Sequence, residues 1–179
     1  MYQKIYKSKI GDLLLESDGQ YLLGLQFCNS KNCHKIDKKC FKELPIFDET
    51  SKWLDGYFAG KPPKTIPKYK LENVTPFRQK VSQIMLEIPF GQVVTYNDIA
   101  KRIATEKGIK KMSAQAVGGA VGWNPICIII PCHRVVGANG NLTGYGGGIE
   151  NKINLLKCEK IDMTKFCLPK KSNKTKPNA

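Results

Sequence analysis

The residues with the most evident chemistry in this chain are Pro131-Cys132-His133-Arg134. A cysteine attacks as its thiolate, and a cationic or proton-accepting neighbour favours that form. Cys132 is followed directly by an imidazole and a guanidinium, so the site is electropositive by sequence alone. Successive side chains of an extended chain point to opposite faces, so His133 reaches Cys132 only if the backbone turns or a water bridges the two. Just upstream, Ile126, Ile128, Ile129 and Ile130, interrupted by Cys127, read as a short buried strand. Pro131 ends it and leaves Cys132 at its exit. A lone Cys-His pair equally describes a small buried thiol closing a strand with solvated cations beyond it. The flanking elements decide between the two.

Residues 2 to 27 alternate short apolar runs with Gly11-Asp12 and Asp18-Gly19, which predicts two hairpins and a small antiparallel sheet. Cys28 to Lys42 is polar, lysine-rich and aperiodic, and reads as a loop. It holds Cys28, Cys33, His34 and Cys40, donors suited to zinc, but their spacing matches none of the strong finger patterns and no metal is expected. From Asp48, Trp53, Leu54, Tyr57 and Phe58 recur on one helical face until Gly60, a stripe that reads as core. The Pro- and Lys-rich stretch from Lys61 to Lys70 reads as a linker. This gives an α/β unit over 1–66, a second unit over 67–168 and a disordered basic tail over 169–179.

In the second unit Thr75-Pro76 caps a helix carrying Phe77, Val81, Ile84, Met85 and Ile88. Thr95 and Asp98 form a capping pair for a helix with Ile99, Ala100 and Ile103. Ser113 caps a short helix from Ala114 to Val121 that is almost bare of bulk. The last two helices outline a helix-turn-helix. A helix that reads base edges carries Arg, Asn or Gln, whereas this one brings backbone close to something, either a ligand or a packed neighbour. The glycine-rich run Gly137 to Gly148 has the freedom of a binding loop, with Tyr145 in its midst, and Ile149, Ile153 and Leu156 mark a last helix ending near Glu159.

The balance of 29 Lys+Arg against 15 Asp+Glu gives a formal charge of +14, which favours polyanions, nucleic acid above anionic membranes. No run is long and apolar enough to span a membrane, and the N-terminus lacks a signal-peptide core, so a cytoplasmic protein is expected. The seven scattered cysteines resemble no secreted framework and are expected to be reduced.

Pro131-Cys132-His133-Arg134-Val135, preceded by Val117-Gly118-Gly119-Ala120 and Asn124-Pro125 and followed by Gly144-Tyr145-Gly146-Gly147-Gly148, resembles the methylated-DNA-protein-cysteine methyltransferases, the O6-alkylguanine-DNA alkyltransferases. The resemblance covers about residues 48 to 160, and the first 47 match only in strand pattern. It implies an α+β protein with a ribonuclease-H-like N-terminal sheet domain and a helical C-terminal domain containing a winged-helix-like helix-turn-helix. It implies that the Ala114 to Val121 helix enters the minor groove, with Thr95, Ala114, Gln115, Ala116 and Gly119 at the DNA. The alkylated guanine would be flipped out to meet Cys132. By the same resemblance His133 takes the thiol proton through a water, Glu159 orients His133, Asn124 braces the site and Tyr96 protonates the departing guanine. Tyr145 walls the base pocket, while the Gly146 N–H and the carbonyls of Cys132 and Val135 read the base edge.

The resemblance implies a methyl group moved irreversibly, in one turnover and without cofactor, from O6-methylguanine in double-stranded DNA by a monomer needing no protein partner. O4-methylthymine is a second candidate substrate. One departure stands out: many relatives carry an arginine at the position of Gln115, to fill the space left by the flipped base. Glutamine brings hydrogen bonds but no charge, so DNA binding should depend less on this position. Two other readings are a damage-binding module without chemistry, in which the nucleophile would be replaced, and a cysteine hydrolase, for which the sequence identifies no oxyanion hole.

Overall fold

The two glycine turns act as expected. In the computed structural model, which describes residues 1–168, the first unit is a three-stranded antiparallel sheet in the order β1-β2-β3. Its strands are β1 (Tyr2–Tyr6), β2 (Leu13–Ser17) and β3 (Leu22–Phe27). Gly11 and Gly19 sit at φ +133° and +111°, where an L side chain would be strained. Leu13, Leu15, Leu25 and Phe27 fill the face covered by α1 (Pro45–Phe58). That helix begins at Pro45 rather than Asp48, because proline's fixed φ suits the first helical turn. The tail expected to be disordered lies outside the described residues.

The second unit contains α2 (Pro76–Leu86), β4 (Val94–Thr95), α3 (Tyr96–Glu106), α4 (Ala114–Gly122), β5 (Val135–Val136) and α5 (Ile149–Cys158). The three caps legible in the sequence all form. Thr75 accepts from the Arg78 N–H, Thr95 and Asp98 close a reciprocal capping box, and Ser113 accepts from the Ala116 N–H. Val94 and Thr95 pair in parallel with Val135 and Val136, tying the start of α3 to the segment just after Cys132.

One expected element is absent. Ile126 to Ile130 is not a strand: only Ile126 bridges, to Leu25, and residues 127–129 form a turn with Ile128 at φ +70°. Buried β-branched composition suits a strand and an apolar turn alike, and here three local hydrogen bonds decide. Ile129 N–H donates to Cys127 O, Ile130 N–H to Ile126 O and Cys132 N–H to Ile130 O. A β-branched residue in left-handed conformation costs about 1–3 kcal/mol and persists because its surroundings over-determine it. Here those surroundings are the buried isoleucines and the β3 edge, where Leu25 N–H donates to Pro125 O and Cys127 N–H to Leu25 O. The N-terminal sheet is thereby joined to the Cys132 turn, and one hydrophobic core runs through both units.

Candidate active site

Cys132 opens a single 3₁₀ turn, Cys132–Arg134, so the chain does turn between it and His133. The sulfur is buried at 4% exposure and accepts a hydrogen bond from Asn124 Nδ2 at 3.1 Å. Asn124 is fixed by the turn itself, because its Nδ2 also reaches Ile130 O at 2.8 Å and its Oδ1 accepts from the Ile126 N–H at 3.1 Å. A second thiol, Cys127, lies beside Cys132 in the same small pocket. The neighbouring Cys127 thiol is the largest influence holding Cys132 down at about 7. Burial opposes the shift, while the Asn124 amide and the charge of Lys152 assist it. The Tyr145 hydroxyl is buried toward both sulfurs but beyond close hydrogen-bond contact.

His133 is fully buried and its Nε2–H donates to Glu159 Oε1 at 2.7 Å. That contact sets the tautomer and leaves Nδ1 as a base without a protein partner among the described residues. Burial lowers the His133 pKa against the opposing pull of Glu159. No direct hydrogen bond joins His133 to the sulfur among the described residues.

Glu159 is the hub of the site. It accepts from His133, from Tyr57 Oη at 2.8 Å, from the Gly91 N–H at 2.9 Å and from Arg134 through Nε and Nη2. Burial pushes its carboxyl up, but the hydrogen bonds and charge of His133 and Arg134 outweigh that and hold it at about 2. Gly91 sits at φ +78° and brings its amide to the carboxylate.

The other residues singled out in the sequence surround this centre. Tyr96 donates toward Gly144 O at 3.2 Å and Thr143 O at 3.3 Å, and burial raises its hydroxyl to about 12, so it keeps its proton at neutral pH. Tyr145 and Gly146 line the pocket with Cys132, and the Gly146 N–H has no backbone partner among the described residues. The two carbonyls are already engaged: Cys132 O accepts from the Val135 N–H, and Val135 O accepts from Lys152 Nζ at 2.6 Å. Thr95, Ala114, Gln115, Ala116 and Gly119 lie at the N-terminus of α3 and along α4 and do not line the Cys132 pocket. Val117, Ala120 and Val121 pack inward, Gly118 lies against the Tyr96 ring, and Gln115, Ala116 and Gly119 face out. The small residues thus serve both readings, close packing on one side and a bare outer face on the other. Trp123 is half-buried under the Arg78 guanidinium at 4.8 Å.

Residues 76–161 match the sequence model of the 6-O-methylguanine DNA methyltransferase DNA-binding domain, and residues 1–72 match that of the ribonuclease-like domain of the same protein. This chain belongs to the 6-O-methylguanine DNA methyltransferase family. It is 40% identical over 159 residues to a methylated-DNA-protein-cysteine methyltransferase of Methanosarcina acetivorans, covering 89% of this chain and 98% of that one. The Haemophilus influenzae protein of the same name is 39% identical over 184 residues, covering 99% of this chain and 94% of that one. The crystal structure of Mycobacterium tuberculosis OGT in complex with DNA superposes with a TM-score of 0.74 at 36% identity, over 93% of this chain and 95% of that one. The expected pairing of an N-terminal sheet domain with a helical DNA-binding domain is thus the family's architecture.

Three groups escaped the sequence reading of this methyltransferase. Tyr57 is in the stripe assigned to core, and its hydroxyl reaches Glu159 from the other unit. Lys152 is fully buried, with burial holding its ammonium down at about 8. It falls between Ile149, Ile153 and Leu156 on the apolar stripe, and a lysine there was the available signal. Cys127 stands among the isoleucines of the expected strand, where nothing local points to the pocket it lines.

Proposed function

We propose that Cys132 is the atom that receives the methyl group in this family member's repair of O6-methylguanine in DNA. The observation that carries the reading is a buried sulfur held at about 7, reached by the Asn124 amide and set one residue from a His133-Glu159-Arg134 network. The sulfur attacks the methyl carbon, the S–C bond forms as the C–O6 bond breaks, and guanine departs with the bonding pair and takes up a proton. His133 Nδ1 receives the thiol proton through a bridging water, and Glu159 supports the resulting imidazolium. Tyr96, still protonated at neutral pH, protonates the departing base. The product is a thioether, which water does not cleave at neutral pH, so each molecule acts once.

The target base leaves the duplex, because O6 cannot meet a buried sulfur within stacked DNA. The bare outer face of α4 supports the approach to the minor groove, where side chains would hold the backbones apart, and the +14 charge supports binding to the phosphates. Among the described residues no helix is long and apolar enough to cross a membrane, and the cysteines are free; a cytoplasmic location accords with both. Incubation with a duplex carrying one O6-methylguanine, followed by intact-mass and peptide analysis, tests the assignment. The expected result is a gain of one methylene in mass on the Cys132 peptide, abolished in Cys132→Ser. A methyl group on another cysteine, or tight binding with no mass change, contradicts it.

A further inference from the structure

The pocket beside Cys132 is built by both units. One side comes from Val121, Asn124, Cys127 and the Gly144 to Gly147 loop, the other from Gln26 on β3 and from Ser30 and Asn32 in the loop that follows. It encloses about 10 Å³ of free space, room for a group the size of one water. The N-terminal side is polar and unmatched. Gln26 is 7% exposed, and its Oε1, like Ser30 Oγ, is buried with no hydrogen-bond partner among the described residues. Buried polar groups are nearly always paired, so such atoms facing a shared cavity mark where a ligand's polar group belongs.

The geometry fixes this wall against the glycine loop. Asn29 Oδ1 accepts from Asn151 Nδ2 at 2.9 Å, and the same amide donates to Gly147 O at 2.6 Å, so α5 holds both loops. Asn32 Nδ2 stands 2.3 Å from where a Cβ on Gly146 would lie. Glycine at 146 therefore leaves to the Asn32 carboxamide the space that a side chain at that position would take.

We propose that Gln26, Ser30 and Asn32 form a polar subsite for the substituent on O6, selecting groups that end in a hydroxyl over apolar groups of the same length. This rests on the reading of Cys132 as acceptor. The carbon bonded to O6 must meet the sulfur, and of a longer substituent only the terminal group is small enough for the enclosed space. A 2-hydroxyethyl group offers Gln26 Oε1 a donor, and its oxygen accepts from Ser30 Oγ or Asn32 Nδ2. An n-propyl group is isosteric and leaves the buried Gln26 Oε1 and Ser30 Oγ unpaired, while the exposed Asn32 amide keeps its access to solvent. Sites built to hydrogen-bond a substrate hydroxyl discriminate strongly against the analogue that lacks it.

The test compares single-turnover transfer from O6-(2-hydroxyethyl)guanine and O6-propylguanine in one duplex, each divided by the same protein's rate on O6-methylguanine. Wild type should favour hydroxyethyl by about tenfold, the factor supplied by one hydrogen bond of ordinary net strength. Gln26→Leu, and separately the loop variants Ser30→Ala and Asn32→Ala, should each reduce that preference, and Gln26→Leu with Ser30→Ala together should bring it within about twofold of unity. Because Ser30 and Asn32 lie in a loop, the prediction survives if Gln26→Leu fails to fold. Methyl transfer with a wild-type preference near one, or a preference that no variant changes, overturns the subsite alone. Absence of methyl transfer by wild type overturns the reading of Cys132 and the subsite with it.

Discussion

Replacing Asn124 should move the titration of Cys132, and the structure sets the size of the change. The Asn124 amide donates to the sulfur at 3.1 Å inside a buried site. A hydrogen bond to a charged group contributes about 1.5–3 kcal/mol, and one pKa unit corresponds to roughly 1.4 kcal/mol. Asn124→Ala therefore raises Cys132 from about 7 by roughly one to two units. At pH 7 the thiolate share falls from about half to between about a tenth and a hundredth, slowing alkyl transfer roughly five- to fifty-fold. The assay is thiolate ultraviolet absorbance against pH, with Cys132→Ser as the blank, alongside single-turnover transfer over the same range. The lost rate should return as pH rises. Asn124→Asp, which preserves the shape and adds negative charge, should raise the midpoint at least as far. Because Asn124 also ties the 124–130 turn, thermal unfolding is followed in parallel; a purely structural role lowers stability and leaves the midpoint in place. An unchanged Cys132 midpoint in folded Asn124→Ala refutes the reasoning.

Two further predictions concern the same buried network and a third the outer face of α4. Glu159→Gln leaves Arg134 buried beside a neutral amide and should cost about 3–5 kcal/mol in chemical denaturation; because the Glu159 carboxyl is held at about 2, below its ordinary 4.5, wild type should lose this contribution as pH falls from about 4.5 toward 2, and the variant should not. Lys152→Met should raise the Cys132 midpoint by removing a nearby positive charge; the lysine's pKa is lowered to about 8 from 10.5, so it destabilises the fold when charged, and wild-type stability should gain between pH 8 and 10.5 relative to the variant. A Cβ at Gly119 has no protein atom within 4 Å and Gly119→Leu replaces a helical glycine, so stability should hold or rise by up to about 1 kcal/mol while affinity for duplex DNA drops at least about tenfold, measured by fluorescence anisotropy.

Local signals carried the helix starts: Thr75, Thr95 and Ser113 each cap the helix their sequence announced, because a cap involves only a few neighbouring residues. The Cys132 turn is not legible for the converse reason. Ile126 to Ile130 has a strand's composition, and the left-handed Ile128 is held by contacts with β3 and the core that are distant in sequence. Tyr57 and Lys152 lie on apolar stripes, and periodicity alone assigns such positions to packing, although their polar ends reach the site. The chemistry at Cys132 and His133 is legible as residue types. The pocket wall of Gln26, Ser30 and Asn32 is not, since nothing local shows that β3 and its following loop face a sulfur a hundred or more positions away.

The most direct test of the account is a titration of a fixed amount of protein with excess duplex carrying O6-methylguanine, followed until transfer stops. The expected result is a plateau at no more than one methyl group per protein chain, all of it on Cys132. Continued repair beyond that ratio, or a plateau that persists in Cys132→Ser, would contradict it.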